Sequence, residues 1–454
     1  MKKRILALVL VSIMALSTLA ACSKKDTTDE PGTGTKTPPA GGASDGTAET
    51  PDGQRELTVW LQRVVNETTN NMIEARVRQF GEENDVTINV ELIPYENMMP
   101  LWTSGIEAKT LPDVSFMQYQ EAGRFYEQGL LTDVSDVIAT IEEANGPIIE
   151  ALKGPTTFGG AQYAIPQRFF SVAIHYRTDM LEAAGFNAPP ATWDEFREIA
   201  KATTNPSEGI YGAGIGLGAT NSDAEWLNQV MLWGLGGAII AEDSQTIIAN
   251  SPETVAALDY MSQIYLEDGS TPPSAVNWDD AANNTAFLTG QSAMVGNAGT
   301  LLAAIRADDP ELYDVTGIAQ IPAGPAGFFA PSAGGYLGIF NQSKNQELAK
   351  ELLAYLFDYD WYKSWIDVEV PSIIPVFERS KDEPEWQDPL TRPFIESMDG
   401  VTFIGYPGEF TPKAGEVFNL KLLNETMANI VVNGMTPQEA ADILQEKVEA
   451  IFNK

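Results

Sequence analysis

The 454-residue chain has one cysteine, Cys22, and one histidine, His175. A single thiol allows no intrachain disulfide, and zinc centres built from several Cys and His ligands are excluded. Any Ser-His-Asp triad would have to use His175 itself. That residue lies within an alternating stretch, in which Val172, Ile174 and Tyr176 share one face and Ser171, Ala173 and His175 the other. A packed, hydrogen-bonded imidazole is the reading there. Basic residues are scarce, 28 Lys and Arg against 63 Asp and Glu, for a formal charge of −35. Nucleic acid, whose phosphates need Lys and Arg, is therefore a poor partner, and an anionic membrane surface would repel the chain. The acidity reads as solubility. No Walker A sequence occurs, so ATP hydrolysis falls to another polypeptide. Gly214, Gly216 and Ala219 fit G-x-G-x-x-A, but within an expected strand rather than a strand-to-helix turn, and without an acidic partner in context.

What is present begins at the N-terminus. Lys2, Lys3 and Arg4 precede an apolar run, Ile5 to Leu16, that is too short to span a bilayer. Leu19-Ala20-Ala21-Cys22 then matches the bacterial lipobox. Residues 1–21 are expected to be a lipoprotein signal peptide, with Cys22 as the lipidated residue and acyl chains contributing about 0.8 kcal/mol per buried methylene. From Ser23 to Glu56 no Val, Ile, Leu, Met, Phe, Trp or Tyr occurs. Such a segment cannot order itself by burial, so 22–56 reads as a tether of roughly 30 Å mean span. The expected location is the extracellular face of the cell membrane, held by a lipid anchor.

The folded body starts with a strand, Leu57 to Gln62, and Val86, Ile88, Val90 and Leu92 alternate as a second. Met72, Ile73, Val77 and Phe80 recur at helical spacing between them, a helix follows over about 95–108, and Val114–Met117 is a short third strand. Strand, helix, strand, helix, strand predicts a parallel α/β sheet. Further on, Tyr211–Leu217 reads as a glycine-rich strand, Ala224–Leu235 as a helix, Pro252–Glu267 as a helix with proline at N1, and Gly334–Phe340 as a strand. Asn277–Ala281 is expected to open a helix, Ser343–Gln346 to cap the one over Leu348–Phe357, and Thr436–Glu439 to form a capping box before the last.

The run Gln162–Thr204 is the most informative stretch. Tyr163, Ile165, Pro166, Ile174, Tyr176, Arg177, Asp179, Met180, Gly185, Pro189, Pro190, Thr192, Trp193, Glu195 and Phe196 stand in the order found in bacterial extracellular solute-binding proteins of ABC transporters. The resemblance is to family 1, the carbohydrate-binding branch related to maltose-binding protein. Arg177 stands where Asn is commoner. Phe287-Leu-Thr-Gly-Gln-Ser-Ala-Met-Val-Gly-Asn297 resembles a second family signature, Gly334–Asn345 a third, and Leu111–Phe116 and Gly129–Asp133 two shorter ones. The resemblance covers roughly residues 57–454, although 380–420 matches little.

It implies an α/β, two-lobed periplasmic-binding-protein fold (type II-like), with a ligand cleft between lobes joined by hinge segments. The expected lobes are 57–168 plus 331–378 and 169–330 plus 379–454, with crossings near Arg168, Pro331 and Glu378. The implied function is capture of a carbohydrate, an oligosaccharide by preference, and delivery by hinge closure to membrane permease subunits served by a separate ATPase. The protein is then a monomer and not an enzyme, with no cofactor and no metal. Two alternatives stay open: a secreted glycoside-active enzyme, which needs two carboxylates roughly 5–10 Å apart, and the same fold specific for a peptide, polyamine or other solute.

In open α/β sheets ligands sit beyond the carboxyl ends of strands. That rule nominates Gln62 and Arg63 after the first strand, beside Trp60, and Gln118 and Tyr119 after the third, beside Met117. Sugars offer apolar C–H faces and hydroxyl rims, so aromatic platforms and planar polar groups are sought. Trp226, Trp233, Trp278 and Trp361 are candidate platforms, and Phe169 and Phe170 follow the first crossing. Trp193 belongs to a capping motif and reads as packing. Asn297, near Gly299 and a possible helix start, and Gly335 with Tyr336 complete the candidate set.

Overall fold

A computed structural model describes residues 55–454; the expected signal peptide, the expected lipidation at Cys22 and the expected tether to residue 54 lie outside the described residues. Nine strands make one continuous sheet. They are β1 (Glu56–Arg63), β2 (Thr87–Pro94), β3 (Val114–Met117), β4 (Ile165–Arg177), β5 (Tyr211–Ala213), β6 (Ser292–Ala298), β7 (Thr316–Ala319), β8 (Ala330–Ile339) and β9 (Val401–Thr402). The order is β2-β1-β3-β8-β4-β6-β5, with β7 beside β4 and β9 beside β8.

The first three strands are parallel, and helices Glu67–Asn84 and Tyr95–Ala108 make the connections between them. In β1, Leu57, Val59 and Leu61 are buried, and the Glu67–Asn84 helix covers the sheet with Ile73, Val77 and Phe80. β4 is the long strand. Its first part pairs antiparallel with β8, from Leu337 opposite Ile165 to Ser332 opposite Ser171. Its second part pairs with β6 (Val172 opposite Ala298) and with β7 (Ile174 opposite Ala319). β8 continues into the first part of the sheet, where Tyr336 lies opposite Met117 of β3. β4 and β8 therefore belong to both halves.

The close fit of these two strands needs glycine. A Cβ on Gly334 would lie 2.0 Å from Phe169 Cε1, and one on Gly335 would lie 2.4 Å from Phe116 Cε2. A register shift falls between Gly335 and Tyr336. His175, fully buried on β4, meets Phe287 and Phe394 edge-on, its Nδ1 lies 3.4 Å from Ala173 O, and burial pulls its pKa down to about 4. It is a neutral core residue.

Two capping boxes form as the sequence implies. Glu195 N–H donates to Thr192 Oγ1 (3.2 Å) and Thr192 N–H to Glu195 Oε2 (3.3 Å); Thr436 and Glu439 do the same before the Pro437–Phe452 helix. Three expectations need correction. Only Tyr211–Ala213 of the glycine-rich stretch is strand, because Gly218 is pressed against Trp278, whose O would lie 2.0 Å from a Cβ there. Residues Pro273–Asn277 form a 3-10 turn, and the helix expected from Asn277 begins only at Ala282. Ser343 does not cap its helix, which spans Gln346–Leu356; its hydroxyl donates to Asp113 Oδ1 at 2.5 Å. Beyond Glu378 the chain touches the first half before it reaches β4. Lys363 still binds Glu385 (2.9 Å) and Tyr359 OH still donates to Glu383 (2.9 Å), whereas Phe394 and Ser397 are the residues that reach His175 and Ser171 on β4.

Overpacking this seam is expected to cost stability without touching a ligand group. Gly334→Ala should lower the free energy of unfolding by about 1–3 kcal/mol in urea titration. An unchanged midpoint would show that Phe169 yields freely.

Candidate functional site

The strand pairings fix where the strand ends meet. β3 runs antiparallel to β8 and β8 antiparallel to β4, so β1 and β3 run in the same sense as β4, toward the second half of the sheet. β6 runs antiparallel to β4, and β5 parallel to β6, so both run toward the first half. The carboxyl ends of β1, β3, β5 and β6 thus converge on the middle of the sheet, the region where such sheets bind ligands. A helix starts beyond each: Glu67–Asn84, Tyr119–Glu127, Ser222–Gly234 and Gly299–Asp308.

On the first side, Gln62 is half-buried and its Oε1 accepts from Arg168 Nη2 at 2.8 Å. Arg168 is buried on β4 between the rings of Phe116 and Trp365, 5.4 and 5.5 Å from their centroids. Desolvation pulls its pKa down to about 10, partly countered by Glu369, so it stays cationic at neutral pH. Arg63 is exposed and paired with Glu67 at 2.5 Å. Gln118 precedes the Tyr119–Glu127 helix, and its N–H donates to Glu121 Oε2 at 3.1 Å. Val65 and Val368 are exposed where Asn66 Nδ2 donates to Val368 O (3.4 Å), giving this edge an apolar lip.

On the second side the Ser222–Gly234 helix brings Asp223 and Trp226 to its first turns, three residues apart and hence on one face. Trp226 is half-buried against Phe418, ring centroids 4.4 Å apart. Asp223 Oδ2 accepts from Asn283 Nδ2 (3.2 Å) and lies 3.5 Å from Asn297 Nδ2, which also donates to Asn284 Oδ1. Burial raises the Asp223 carboxyl to about 6 against the opposing Asn283 hydrogen bond, and nearby Asp280 adds to the rise. Gly299 abuts Pro371, whose O would lie 2.2 Å from a Cβ there. The start of that helix is therefore held against the first half.

The other candidates serve as interior residues in this structure. Phe169 and Tyr336 have no exposed surface and meet edge-on, and Tyr336 OH donates to Leu152 O at 2.9 Å. Gly335 is a packing glycine under Phe116. Tyr119 is buried against Phe403 and Phe410, and Trp233 against Phe329 and Tyr406. Trp278 packs in a small cluster with Ala275 and Ala286, its Nε1 donating to Ser274 Oγ at 3.1 Å. Trp361 stacks on Trp365 and sits 5.2 Å from Arg76. Arg76 is nine residues into its helix, roughly 13 Å from the end that faces the strand tips at 1.5 Å per residue. Phe170 remains half-buried. The structure thus sets Asn297 3.5 Å from Asp223, on the helix that also bears Trp226, at one strand end, and places Gln62 and Gln118 at the opposite ones. Asp223, Asn283 and Asn284 complete the cluster without having been nominated. Their signal was an acid in the first turn of a helix that follows a glycine-rich strand, and two consecutive asparagines before a family signature.

The family model for bacterial extracellular solute-binding proteins matches residues 57–363. The chain belongs to that family. A binding protein of Brucella abortus is 29% identical over 291 residues, 63% of this solute-binding protein and 68% of its own length. The maltodextrin-binding protein MdxE of Bacillus subtilis is 25% identical over 419 residues, 89% of this chain and 92% of its own. The crystal structure of the cyclic alpha-maltosyl-1,6-maltose binding protein from Arthrobacter globiformis superposes with a TM-score of 0.74 at 21% identity, covering 88% of this chain and 99% of that one. The solute-binding protein therefore has the two-lobed α/β fold of that family, which is one of binding proteins and not of enzymes.

A buried carboxylate supports the second side. Glu225 accepts from Leu423 N–H (3.2 Å) and Asn424 N–H (2.8 Å) at the start of the Leu422–Val431 helix, while Asn424 Nδ2 donates to Asn221 O (2.8 Å). Burial raises Glu225 to about 7, although both N–H groups and Lys421 favour its charged form. Its folded pKa lies above the ordinary 4.5, so the native state holds a proton that the unfolded chain releases, and stability falls as pH rises from about 4.5 to about 7. Asp223 adds in the same direction. Glu225→Gln should shrink the stability loss between pH 5 and pH 8 by about 2–3 kcal/mol in denaturant titrations at each pH. Equal losses in variant and parent would refute the assignment.

Proposed function

We propose that this solute-binding protein captures a carbohydrate, an oligosaccharide by preference, between its two lobes and delivers it to membrane permease subunits whose ATPase is a separate chain. The observation that carries this reading is the cluster at the end of β6, where Asp223, one helical turn before the half-buried Trp226, meets Asn283 and Asn297, and Asn297 meets Asn284. A ring face for sugar C–H groups beside planar hydrogen-bonding groups is the composition a sugar site needs. Likeness to a maltodextrin-binding protein over most of both chains supports it. Gln62, Gln118 and Phe170 would meet the ligand from the first lobe and the hinge.

In this reading one lobe comprises residues 57–168 and 331 to about 386, and the other 169–330 and about 394 to 454. Closure bends the β4 and β8 segments between them. The protein is held at the extracellular face of the cell membrane by acyl chains on Cys22, and the residues to 56 give the lobes reach toward the permease.

Saturating maltotetraose should raise the thermal midpoint of the purified protein, since a ligand at 100 times its Kd adds about 2.7 kcal/mol. Trp226→Ala should weaken binding at least about tenfold by calorimetry, a loss of about 1.4 kcal/mol. A midpoint moved by a peptide or polyamine but by no sugar would end the carbohydrate reading, and turnover of the sugar would move the protein to the enzymes. Cys22→Ala should shift the protein from the membrane fraction to the medium; retention at the membrane would remove the anchor.

A further inference from the structure

An asparagine followed by glycine is the step most open to attack by the chain's own backbone, because glycine has no Cβ to hinder the approach. The chain has two such steps, Asn145-Gly146 and Asn433-Gly434. The reaction needs the glycine nitrogen to reach Cγ of the asparagine side chain. Hydrogen bonds that hold either group must first open, and the fold treats the two steps differently.

Asn145 ends the Ser135–Asn145 helix and is half-buried. Its Oδ1 accepts from Tyr359 N–H (3.2 Å), its Nδ2 donates to Ile141 O (3.0 Å), and Gly146 N–H donates to Glu142 O (3.0 Å). Nucleophile and leaving group are both held there. Asn433 and Gly434 are exposed in the turn between the Leu422–Val431 and Pro437–Phe452 helices. In that turn the N–H groups of Val432 and Asn433 donate to Ala428 O, that of Met435 to Asn429 O and that of Thr436 to Glu439. Gly434 N–H alone has no acceptor among the described residues. Gly434 has φ +70, and a Cβ built on it would meet nothing within 4 Å, so the approach to its nitrogen is open. The Asn433 side chain makes one hydrogen bond among the described residues, from Nδ2 to Asn429 Oδ1 at 2.9 Å on the surface.

We propose that Asn433 is a site of spontaneous deamidation, through which the folded protein changes its own charge at the end of the Leu422–Val431 helix. Gly434 N bonds to Asn433 Cγ, the Cγ–Nδ2 bond breaks, and Nδ2 leaves as ammonia with the proton from Gly434 N. Water then opens the cyclic imide at either carbonyl, giving aspartate or isoaspartate. One side-chain amide and one water thus become one carboxylic acid and one ammonia. The new carboxylate stands at the negative end of the helix dipole, which opposes it. Isoaspartate also carries the backbone through the former side chain, one atom longer, and so displaces Met435 N–H from Asn429 O. The loosened helix is the one whose Leu423 and Asn424 N–H groups hold Glu225. None of this depends on which solute binds.

Incubation of the full soluble chain in mildly alkaline buffer, with and without denaturant, tests this by peptide mapping for the conversion of amide to acid. In the folded protein Asn433 should convert at least about tenfold faster than Asn145, whose three hydrogen bonds must open first. In denaturant, where those bonds are gone, the gap should close. Hydroxylamine, which cleaves the imide, should cut the folded chain between Asn433 and Gly434. Asn433→Gln, which needs a larger ring, should abolish both signals at this position. No conversion at Asn433, or equal rates at the two steps in the folded protein, would overturn the proposal. A gap that persists in denaturant would trace the difference to neighbouring residues and overturn the role of the fold. Asn433→Asp should have a lower thermal midpoint than the uncharged Asn433→Gln, and equal midpoints would overturn the loosening of the helix end.

Discussion

The backbone ladder between β4 and β8 is the constraint on which the rest depends. These two strands pair with each other from Leu337 opposite Ile165 to Ser332 opposite Ser171, and each also pairs with one half of the sheet. A slip of one residue would turn every side chain of β4 to the opposite face, exchanging the buried contacts of Arg168 with those of Phe169. Gly334 and Gly335 let the rings of Phe169 and Phe116 close over the ladder, and that packing holds the register. What the ladder leaves free is bending and twist. In the proposed closure one half rotates on the other about this pair, which would bring the strand tips that carry Gln62, Gln118 and Asn297 toward each other.

Much of the framework was legible because its determinants are local. Val172, Ile174 and Tyr176 alternate along β4, and the two Thr-x-x-Glu boxes at 192 and 436 set their helix starts as written. Each depends on residues within a few positions. The misread boundaries have tertiary causes. Gly216 and Gly218 lie under the loop that carries Trp278, and Ser343 donates its hydroxyl to Asp113, 230 positions away in sequence. Residues 383–385 carry no hydrophobic period, and salt bridges to Lys363 hold them on the first half.

The candidate site divides by the same rule. Strand ends are topological, so Gln62 and Gln118 could be nominated from order alone, and Asn297 from the helix start that follows it. Aromatic roles are not topological. Of nine tryptophans, Trp226 and Trp361 alone escape full burial, and Trp361 sits far along a helix from the strand ends. Trp226 and Trp233 lie seven residues apart on one helix, yet Phe418 leaves part of the first exposed while Phe329 and Tyr406 help close over the second.

Glu225 shows why the second half can act as one body. A carboxylate buried beside the candidate site is destabilising by its own desolvation, yet it holds two N–H groups of the Leu422–Val431 helix within an amide network of Asn221, Asn228 and Asn424. Replacing such a group by an apolar one would leave the start of that helix unpaired, a cost comparable to the desolvation avoided. The network joins the helix bearing Asp223 and Trp226 to the C-terminal helices nearly 200 residues later in sequence. A hinge that rotates one half therefore carries the cluster, its supporting helices and the pH-sensitive carboxylates together. The geometry of the cluster is set within that half before any closure occurs.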